Sequence, residues 1–224
     1  MSEKKKILIS GTGGFSKEVL CMLIDLGLME RFIGFIEPDS IIKSGGVPIE
    51  LLGYPVLPYS FVKIEEHCVA LAIGDSQIRE KILSQLPTNL EYLSLIHPSV
   101  VISKWVEIGK GAIICAGSIL TCDIKIGDFA QINLNTTIGH DCQIGDFFTT
   151  APNVNISGNC NLGKHIYFGT SSSIKQGLSI CNNVTVGMGA VIVNNINESG
   201  IYVGIPASKK KLKYDSIISP LPKW

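Results

Sequence analysis

From Ile96 onward, every sixth residue of the chain is apolar, with a single exception at Thr150. Sixteen of the seventeen positions in this register are aliphatic or aromatic. A period of six matches neither the 3.6 residues per turn of a helix nor the alternation of a free strand. It therefore predicts a solenoid of repeated coils. The register consists of Ile96, Ile102, Ile108, Ile114, Leu120, Ile126, Ile132, Ile138, Ile144, Ile156, Leu162, Phe168, Ile174, Ile180, Val186 and Ile192.

The residue two places before each apolar residue is also predicted to face inward. A glycine often follows the apolar residue, and we expect it to mark a tight corner. Three hexapeptides would form one triangular coil, so the segment 96–197 provides between five and six coils. The inward residues are mostly small, namely Ala112, Ser118, Ala130, Thr136, Cys142, Cys160, Ser172 and Ala190, with Phe148 and Ile166 as larger exceptions.

The extent of the repeat indicates how the chain is divided. It occupies only the second half of the 224 residues, which leaves room for a separate N-terminal domain. We divide the chain into an N-terminal domain (1–95), the solenoid (96–197), and a C-terminal turn and tail (198–224) that cap the solenoid. Nineteen basic residues balance nineteen acidic ones, which argues against nucleic acid as the main partner.

The sequence also bears on where the protein works. The apolar run after the first lysines ends at Ser10, which is too short for a signal peptide, and no stretch approaches the roughly 20 apolar residues of a membrane span. Seven cysteines without a CxxC pair indicate neither a disulfide framework nor a zinc site. We expect a soluble cytoplasmic protein in which Cys142 and Cys160 stack inside the solenoid, one coil apart.

In the first half of the chain, predicted strands alternate with helices. The strands are expected at 7–9, 32–36, 69–73 and 92–96, with one helix ending at Gly27 and another at 77–86. This alternation predicts a small parallel α/β sheet of the Rossmann type.

A glycine-rich loop follows the first predicted strand. Gly11, Gly13 and Gly14 leave backbone N–H groups unhindered at a helix start, where anions bind. Ser16 stands where the dinucleotide fingerprint requires glycine, so the pattern does not indicate an NAD site.

Two other predicted strands also end in polar residues. Glu37 ends the second strand, and Gly74 and Asp75 end the third, with Ser76 able to cap the next helix and Arg79 one turn inside it. Open α/β sheets bind ligands at the carboxyl ends of their strands. We therefore expect a nucleotide site there, although ordinary turns and caps would produce the same residues.

Among the four histidines, His140 has the most informative position. It follows the corner at 138–139, so its ring should leave the solenoid, and Asp141 stands beside it. A neutral imidazole can take a proton from a nucleophile near neutral pH, and a carboxylate can orient it. Spacing alone leaves catalysis and a plain surface histidine equally open. The others are expected in structural settings, with His67 in a polar connector, His97 at the domain junction and His165 in an outward corner.

The motifs of both halves follow the order of one known family. GTGGFSKEV, GFIEPD, GYPVL, AIGDSQIREKI, HPSV, TIGHDCQIGDF and YVGIPA resemble the sialic acid O-acetyltransferase-like sugar acyltransferases of the bacterial hexapeptide-repeat family. That subgroup includes N-acetyltransferases of UDP-linked 4-amino-4,6-dideoxy sugars. The resemblance implies a left-handed parallel β-helix, a homotrimer with active sites between subunits, acetyl-CoA as the acyl donor, and no metal.

The same resemblance implies roles for single residues. His140 would be the catalytic base and Asp141 its partner, while Asn133 would lie near the acceptor sugar. The nucleotide sugar would be held by Gly11, Gly13, Gly14, Glu37, Gly74 and Asp75. Coenzyme A would lie against Pro206 and Ala207, with Lys209 near its phosphates, although a solvated basic tail at Lys209, Lys210, Lys211 and Lys213 is the alternative. The chain departs from the family at Thr149, where many relatives carry a second histidine, and at Glu37-Pro38-Asp39, which replaces paired aspartates.

These observations predict an acetyl-CoA-dependent N-acetyltransferase acting on a nucleotide-linked 4-amino-4,6-dideoxy sugar of bacterial glycan synthesis. Gly158 lies three hexapeptides, or one full coil, after His140, so it should stack above it and bind the oxyanion or the cofactor thioester. One alternative is O-acetylation of a sugar such as sialic acid, and another is a non-catalytic scaffold that binds a nucleotide sugar. A zinc hydratase needs three converging imidazoles, and the two solenoid histidines are not separated by a whole number of coils.

Overall fold

The computed structural model describes residues 4–210. It consists of an N-terminal α/β domain followed by a parallel β-solenoid. Lys211, Lys213 and the predicted capping tail after them lie outside the described residues.

The N-terminal domain is a six-stranded sheet with helices around it. Its strands are β1 (Lys6–Ser10), β2 (Phe32–Glu37), β3 (Glu50–Leu51), β4 (Tyr54–Pro58), β5 (His67–Leu71) and β6 (Glu91–Tyr92). Its helices are α1 (Gly14–Asp25), α2 (Asp39–Lys43) and α3 (Ser76–Leu83), with short 3₁₀ turns at Met29–Arg31 and Tyr59–Phe61.

The strand order of this sheet is that of a doubly wound fold. The order is β3-β4-β2-β1-β5-β6, and all neighbours are parallel except β3 and β4. The direction of the winding reverses between β1 and β5, and in such sheets ligands bind in the crevice at that point. The predicted Rossmann-like sheet is therefore confirmed, and the loops after β1, β2 and β5 are neighbours.

Several predicted element boundaries were wrong. The strand expected at 92–96 is split: Glu91–Tyr92 completes the N-terminal sheet, whereas Leu95–Ile96 begins the first coil. The sequence reading also missed the hairpin of β3 and β4, because its second strand contains two prolines and proline is confined to sheet edges.

The solenoid has three faces, each a column of short parallel strands. The first face contains β7 (Leu95–Ile96), β10 (Ile113–Ile114), β13 (Gln131–Ile132), β16 (Thr149–Thr150), β19 (Tyr167–Phe168), β22 (Val184–Val186) and β24 (Gly200–Val203), to which β25 (Ser208–Lys209) adds antiparallel. The second contains β8 (Val101–Ile102), β11 (Ile119–Leu120), β14 (Thr137–Ile138), β17 (Asn155–Ile156), β20 (Ser173–Ile174) and β23 (Val191–Ile192). The third contains β9 (Val106–Ile108), β12 (Ile124–Ile126), β15 (Gln143–Ile144), β18 (Asn161–Leu162) and β21 (Ser179–Ile180).

The six-residue register marks the interior of this solenoid, as predicted. Strand partners are three hexapeptides apart along the chain, for example Ile138 beside Ile156, and the five strands of the third face define five complete coils. A bridge between Ile180 and Ile196 closes a sixth. The register residues from Ile114 onward are buried, and so are all the predicted inward residues.

The reason for the corner glycines differs from the prediction. In every corner from Gly111 to Gly189, the left-handed residue lies three places after the register residue, as at Asp141 with φ 60°. The glycine directly after the register residue is instead required by the next coil. A Cβ at Gly139 would lie 2.5 Å from the Gly158 nitrogen, which no side chain can tolerate.

The N-terminal domain packs on the first face of the solenoid and on the corner beside it. Phe129 and Phe147 of that corner belong to the same apolar cluster as Leu8 and Val69 of the N-terminal sheet. Across the same contact, the Gln131 side-chain amide donates to the Leu71 carbonyl at 2.6 Å. The carboxyl ends of β1, β2 and β5, which we call the ligand edge of the sheet, are therefore held against one face of the solenoid.

Candidate active site

His140 and Asp141 form a hydrogen-bonded pair on a solenoid corner. The His140 Nδ1 atom lies 2.6 Å from Asp141 Oδ2, and both side chains are about half exposed, at 51% and 53%. His140 is the second residue after the register residue Ile138, so its ring points out of the solenoid as predicted. The carboxylate selects the tautomer with the proton on Nδ1, which leaves the Nε2 lone pair free.

Gly158 lies directly above this imidazole in the next coil. A Cβ built on Gly158 would lie 2.6 Å from His140 Nε2 and 2.7 Å from Cε1. The two coils are joined at this point by a hydrogen bond of 2.6 Å from the Asn159 N–H to the His140 carbonyl. Only glycine at position 158 leaves the ring in this place.

The backbone N–H of Gly158 has no hydrogen-bond partner among residues 4–210. At the same hexapeptide position in three corners after the third face, this N–H is capped by a side chain of the following coil. Asp128 caps Lys110 at 3.0 Å, and Asn182 caps Lys164 at 2.8 Å. The corner of His140 thus combines an exposed imidazole with a backbone N–H that has no partner among the described residues.

The glycine loop after β1 meets the end of β2. The Thr12 hydroxyl donates to Glu37 Oε1 at 2.7 Å, and the Gly11 N–H donates to the Ile36 carbonyl at 3.0 Å. Gly11 has φ 108°, and a Cβ there would lie 2.7 Å from Ile73 Cδ1, whereas Gly13 and Gly14 face open space. The structure therefore brings Gly11, Gly13, Gly14 and Glu37 to one edge, as expected.

Gly74 and Asp75 follow β5 at the same edge, but the predicted helix cap was wrong. Asp75, and not Ser76, caps α3, because its Oδ1 atom accepts from the Gln77 N–H at 2.9 Å and from the Ile78 N–H at 3.1 Å. The carboxylate of Asp75 is therefore turned toward the helix, and the first turn of α3 already holds a negative charge.

Two adjoining cavities lie between this edge and the first face of the solenoid. One, of about 320 Å³, is lined by Gly74 and Asn133, and the other, of about 460 Å³, by Gly74, Asp75 and His165. Thr149 and Tyr167 line both. Neither cavity is lined by His140 of the same chain.

The solenoid wall of these cavities is a column that the sequence reading overlooked. Gln131, Thr149, Tyr167 and Thr185 stand one coil apart, each directly before a register residue on the first face. Polar and aromatic residues recurring at that interval are the signal that could have found it, since they mark one face of the solenoid.

Asn133 is held by the single break in the register. Its N–H donates to Thr150 Oγ1 at 2.9 Å, and Thr150 Oγ1 also lies 3.0 Å from the Thr136 hydroxyl. Thr150 is only 2% exposed, so its hydroxyl is a buried acceptor in a mostly apolar interior.

The segment after the last coil extends the first face and then turns back. Pro206 and Ala207 lie in the turn between β24 and β25, and the Ala207 N–H donates to the Val191 carbonyl at 2.8 Å. The Lys209 ammonium donates to Glu198 Oε2 at 2.9 Å, so it is paired with a carboxylate and is not a free member of a basic tail.

The settings predicted for two other histidines were wrong. His67 is part of β5, where it is 3% exposed and accepts from the Lys63 N–H. The His165 side chain is only 10% exposed, because it stacks on Phe147 and lies 3.3 Å from Glu80. The N-terminal domain covers that corner, which spacing within the solenoid could not indicate. His97, at the domain junction, pairs with Asp25.

Within residues 4–210, no group of three or more histidine, cysteine or acidic side chains could hold a metal ion. No helix in the described part of the chain is long and apolar enough to cross a membrane.

Comparison with known proteins gives consistent matches. The model of the PglD N-terminal domain matches residues 6–86. WeeI from Acinetobacter baumannii AYE is 35% identical, with a TM-score of 0.82 over 92% of this chain and 99% of WeeI. The acetyltransferase domain of PglB from Neisseria gonorrhoeae FA1090 is 26% identical, with a TM-score of 0.83 over 92% of this chain and 100% of the domain, and it has also been solved with acetyl coenzyme A.

A third match has been solved with both ligands. PerB from Caulobacter crescentus, in complex with CoA and GDP-perosamine, is 26% identical, with a TM-score of 0.80 over 92% of this chain and 97% of PerB. Further structures of this perosamine N-acetyltransferase carry asparagine or alanine in place of one histidine.

The doubly wound domain docked on a hexapeptide solenoid and these matches together define a class of acyltransferase. This chain belongs to the hexapeptide-repeat sugar acetyltransferases that carry a PglD-type N-terminal domain. Its solenoid is the left-handed parallel β-helix of that family, so the resemblance seen in the sequence is confirmed.

Proposed function

We propose that this protein is an acetyl-CoA-dependent N-acetyltransferase that acts on a nucleotide-linked 4-amino-4,6-dideoxy sugar. Its product would serve as a precursor for a bacterial surface glycan or for protein glycosylation. Seven free cysteines among the described residues fit a reducing compartment, so we place the reaction in the cytoplasm.

The pairing of His140 with Asp141 beneath Gly158 is the observation that carries this proposal. Asp141 Oδ2 lies 2.6 Å from His140 Nδ1, and a carboxylate at that distance favours the tautomer with the proton on Nδ1, which leaves Nε2 able to accept one. The Gly158 N–H lies in the adjacent coil without a partner among residues 4–210. A base and an oxyanion donor on one corner are what acyl transfer to an amine requires.

The reaction follows from these positions. The sugar amine attacks the thioester carbonyl carbon of acetyl-CoA, and His140 Nε2 takes a proton from the attacking nitrogen. The Gly158 N–H stabilises the negative oxygen of the tetrahedral intermediate. The intermediate then collapses, the C–S bond breaks, and the imidazolium returns the proton to the departing CoA sulfur. The products are an amide and free CoA.

The nucleotide sugar would lie across the ligand edge of the N-terminal sheet. We place its base or ribose near Glu37, its diphosphate between the glycine loop (Gly11, Gly13 and Gly14) and the Gly74–Asp75 loop, and its sugar toward Asn133. Support comes from the adjacency of β2, β1 and β5 and from the shared cavity of Gly74 and Asn133. The complex of PerB with GDP-perosamine supports the substrate class.

Coenzyme A would lie against the turn of Pro206 and Ala207. Lys209, held in place by Glu198, would then be fixed near a CoA phosphate. The N–H of Gly158 would face the thioester end of the same molecule.

We also propose that the enzyme is a homotrimer with its active sites between subunits. His140 is half exposed and lines neither cavity of its own chain. A sugar held in the cavity beside Asn133 would therefore react at the corner of a neighbouring copy.

The activity is tested by incubating the purified protein with acetyl-CoA and UDP-, dTDP- or GDP-linked 4-amino-4,6-dideoxy sugars. We expect release of free CoA and a product carrying one more acetyl group that survives mild alkali. Loss of that acetyl group in alkali would indicate O-acetylation instead. If His140→Ala retained full turnover, the mechanism would be wrong.

The trimer is tested by complementation. Gly13→Glu places a negative side chain in open space of the glycine loop and should block the nucleotide diphosphate, while His140→Ala removes the base. Each variant alone should be inactive, but their co-expressed mixture should regain activity, because some sites combine an intact loop with an intact histidine from another copy. Absence of regained activity in verified mixed oligomers would place the whole site within one chain.

A further inference from the structure

Arg79 is completely buried between the N-terminal domain and the solenoid. It lies in the first turn of α3, yet no carboxylate is within hydrogen-bond distance of its guanidinium among the residues described. Five oxygen atoms surround it instead. They are the carbonyls of Ile73 at 2.6 Å, Gly74 at 3.2 Å, Phe129 at 3.0 Å and Phe147 at 3.0 Å, and the Thr149 hydroxyl at 2.8 Å.

These contacts use the full donor capacity of the side chain. A guanidinium carries five N–H groups in a fixed fork, and each has one acceptor here. Burial lowers the pKa of Arg79 to about 9, so the group remains charged at neutral pH. A buried charge without a counter-ion is stabilised only if its hydrogen bonds are complete. The network therefore tolerates few changes in the position of its members.

The five acceptors belong to three separate parts of the fold. Ile73 and Gly74 belong to the loop after β5, whereas Phe129 and Phe147 are corner residues of two successive coils. Thr149 stands on the first face of the solenoid and lines both cavities. One side chain thus joins the loop at the ligand edge to the opposite wall of the cavities.

The contacts also decide how the loop peptides are turned. The peptide bonds of this loop are trans, because the cis bond found in the described chain is Ile205–Pro206. In a trans peptide the N–H points opposite to the carbonyl. Since the Ile73 and Gly74 carbonyls point at Arg79, the N–H groups of Gly74 and Asp75 point away from it. Neither of these two N–H groups donates a hydrogen bond within residues 4–210.

We propose that Arg79 is a positioning residue for the nucleotide sugar. It fixes the Gly74–Asp75 loop against the solenoid and presents the loop N–H groups to the nucleoside diphosphate part of the substrate. Thr149 accepts a hydrogen bond from Arg79 and thereby fixes Arg79 relative to the solenoid. This inference rests on the proposed function, because it concerns how that substrate is placed.

Kinetics of three variants test the role in substrate binding. Arg79→Lys keeps the charge but has three donors for five acceptors, and Thr149→Val removes one acceptor at nearly constant volume. We expect both to raise KM for the nucleotide sugar, Arg79→Lys by about tenfold or more, with KM for acetyl-CoA unchanged. Thr149→Ser keeps the hydroxyl and should lie between Thr149→Val and the wild type.

Arg31→Lys is the matched control. Arg31 donates to the Lys5 carbonyl at 2.9 Å at the amino ends of β1 and β2, away from the ligand edge. Its replacement should therefore leave both KM values unchanged. If Arg79→Lys raises both KM values equally, or neither, the positioning role is wrong.

Hydrogen exchange of the full-length protein provides a readout that does not depend on activity. We expect faster amide exchange across residues 72–78 in Arg79→Lys and Thr149→Val, and wild-type exchange in Arg31→Lys. We call the hydrogen bonds by which Arg79 fixes the Gly74–Asp75 loop the Arg79 clamp. Unchanged exchange in the first two variants would show that this clamp does not hold the loop. Faster exchange in a protein that acetylates no nucleotide sugar would instead preserve the clamp and reject the proposed function.

Discussion

The imidazole of His140 lies so close beneath Gly158 that a Cβ at position 158 would lie within 2.6 to 2.9 Å of three ring atoms. This contact joins two successive coils at one corner. The His140 ring can keep this orientation only if residue 158 is glycine.

Gly158→Ala should therefore lower activity without unfolding the protein. The backbone at Gly158 is not left-handed, so alanine fits the coil, and the exposed His140 side chain has room to move away. We expect kcat to fall by about 10²-fold or more, since the base is displaced, while the melting temperature stays close to that of the wild type.

Gly46→Ala is a suitable control for that variant. Gly46 lies in a loop of the N-terminal domain, where a Cβ would come no closer than 3.3 Å to a neighbour. It should match the wild type in activity. Full activity of Gly158→Ala would show that the ring does not need its present place.

Removing the base and removing its partner should have different effects. His140→Ala is expected to lower kcat by about 10²- to 10⁴-fold, with little change in the binding of CoA measured by calorimetry. Asp141→Asn keeps a polar side chain next to Nδ1 but no longer fixes its proton, so we expect a smaller loss. A larger loss for Asp141→Asn than for His140→Ala would contradict the assignment of His140 as the base.

Restoring the register at its one break should destabilise the protein. Thr150→Val fits the same volume but removes the acceptor of the Asn133 N–H and the partner of the Thr136 hydroxyl. We expect the free energy of unfolding in urea to fall by about 1–3 kcal/mol, because buried polar groups are left unpaired. Thr150→Ser, which keeps the hydroxyl, should cost only about 1 kcal/mol. The prediction fails if Thr150→Val is the more stable of the two.

An ion pair on another corner should make stability depend on pH. The hydrogen bond from Lys164 lowers the pKa of Asp146 below its usual value, and Asp146 also caps the Asp128 N–H at 3.0 Å. Because the folded pKa is the lower one, the unfolded chain binds more protons between the two values, and stability rises with pH across that window. The contribution is present above about pH 4 and is lost as the pH falls through the folded value.

Asp146→Asn isolates this charge effect, because the amide oxygen can still accept from the Asp128 N–H. We expect the wild type to be more stable by less than about 1 kcal/mol at neutral pH, since Lys164 is largely exposed. The difference should shrink steadily in urea denaturation as the pH is lowered below about 4. A difference that is constant with pH would rule out the ion pair as its cause.

The predictable part of the site depends on local periodicity. The six-residue register predicted that His140 points outward and that Gly158 stacks above it, because residues three hexapeptides apart occupy the same place in successive coils. The glycine loop and the acidic end of β2 were predicted from strand and turn chemistry within a few residues of each other. These features can be predicted because each depends only on residues close by in the chain or on the constant displacement from one coil to the next.

Other residues could not be placed this way because their partners come from the other domain. His165 and Phe147 occupy equivalent corner positions and look exposed in the repeat, yet the N-terminal domain covers both. Arg79 reads as an ordinary residue in the first turn of a helix, and its five acceptors come from distant parts of the chain. Asp75, in place of Ser76, became the helix cap because one of its carboxylate oxygens reaches the N–H groups of both Gln77 and Ile78.

The solenoid, its interior and the corner of His140 follow from the order of residues alone, because apolar residues repeated every six places are buried together only in a coil of that period. The position of the ligand edge of the N-terminal sheet on that solenoid depends on contacts between distant parts of the chain. That relation depends on desolvated contacts between domains, such as those of Arg79 with Phe147 and Thr149. Hydrogen bonds of this kind carry no period and leave no pattern along the chain.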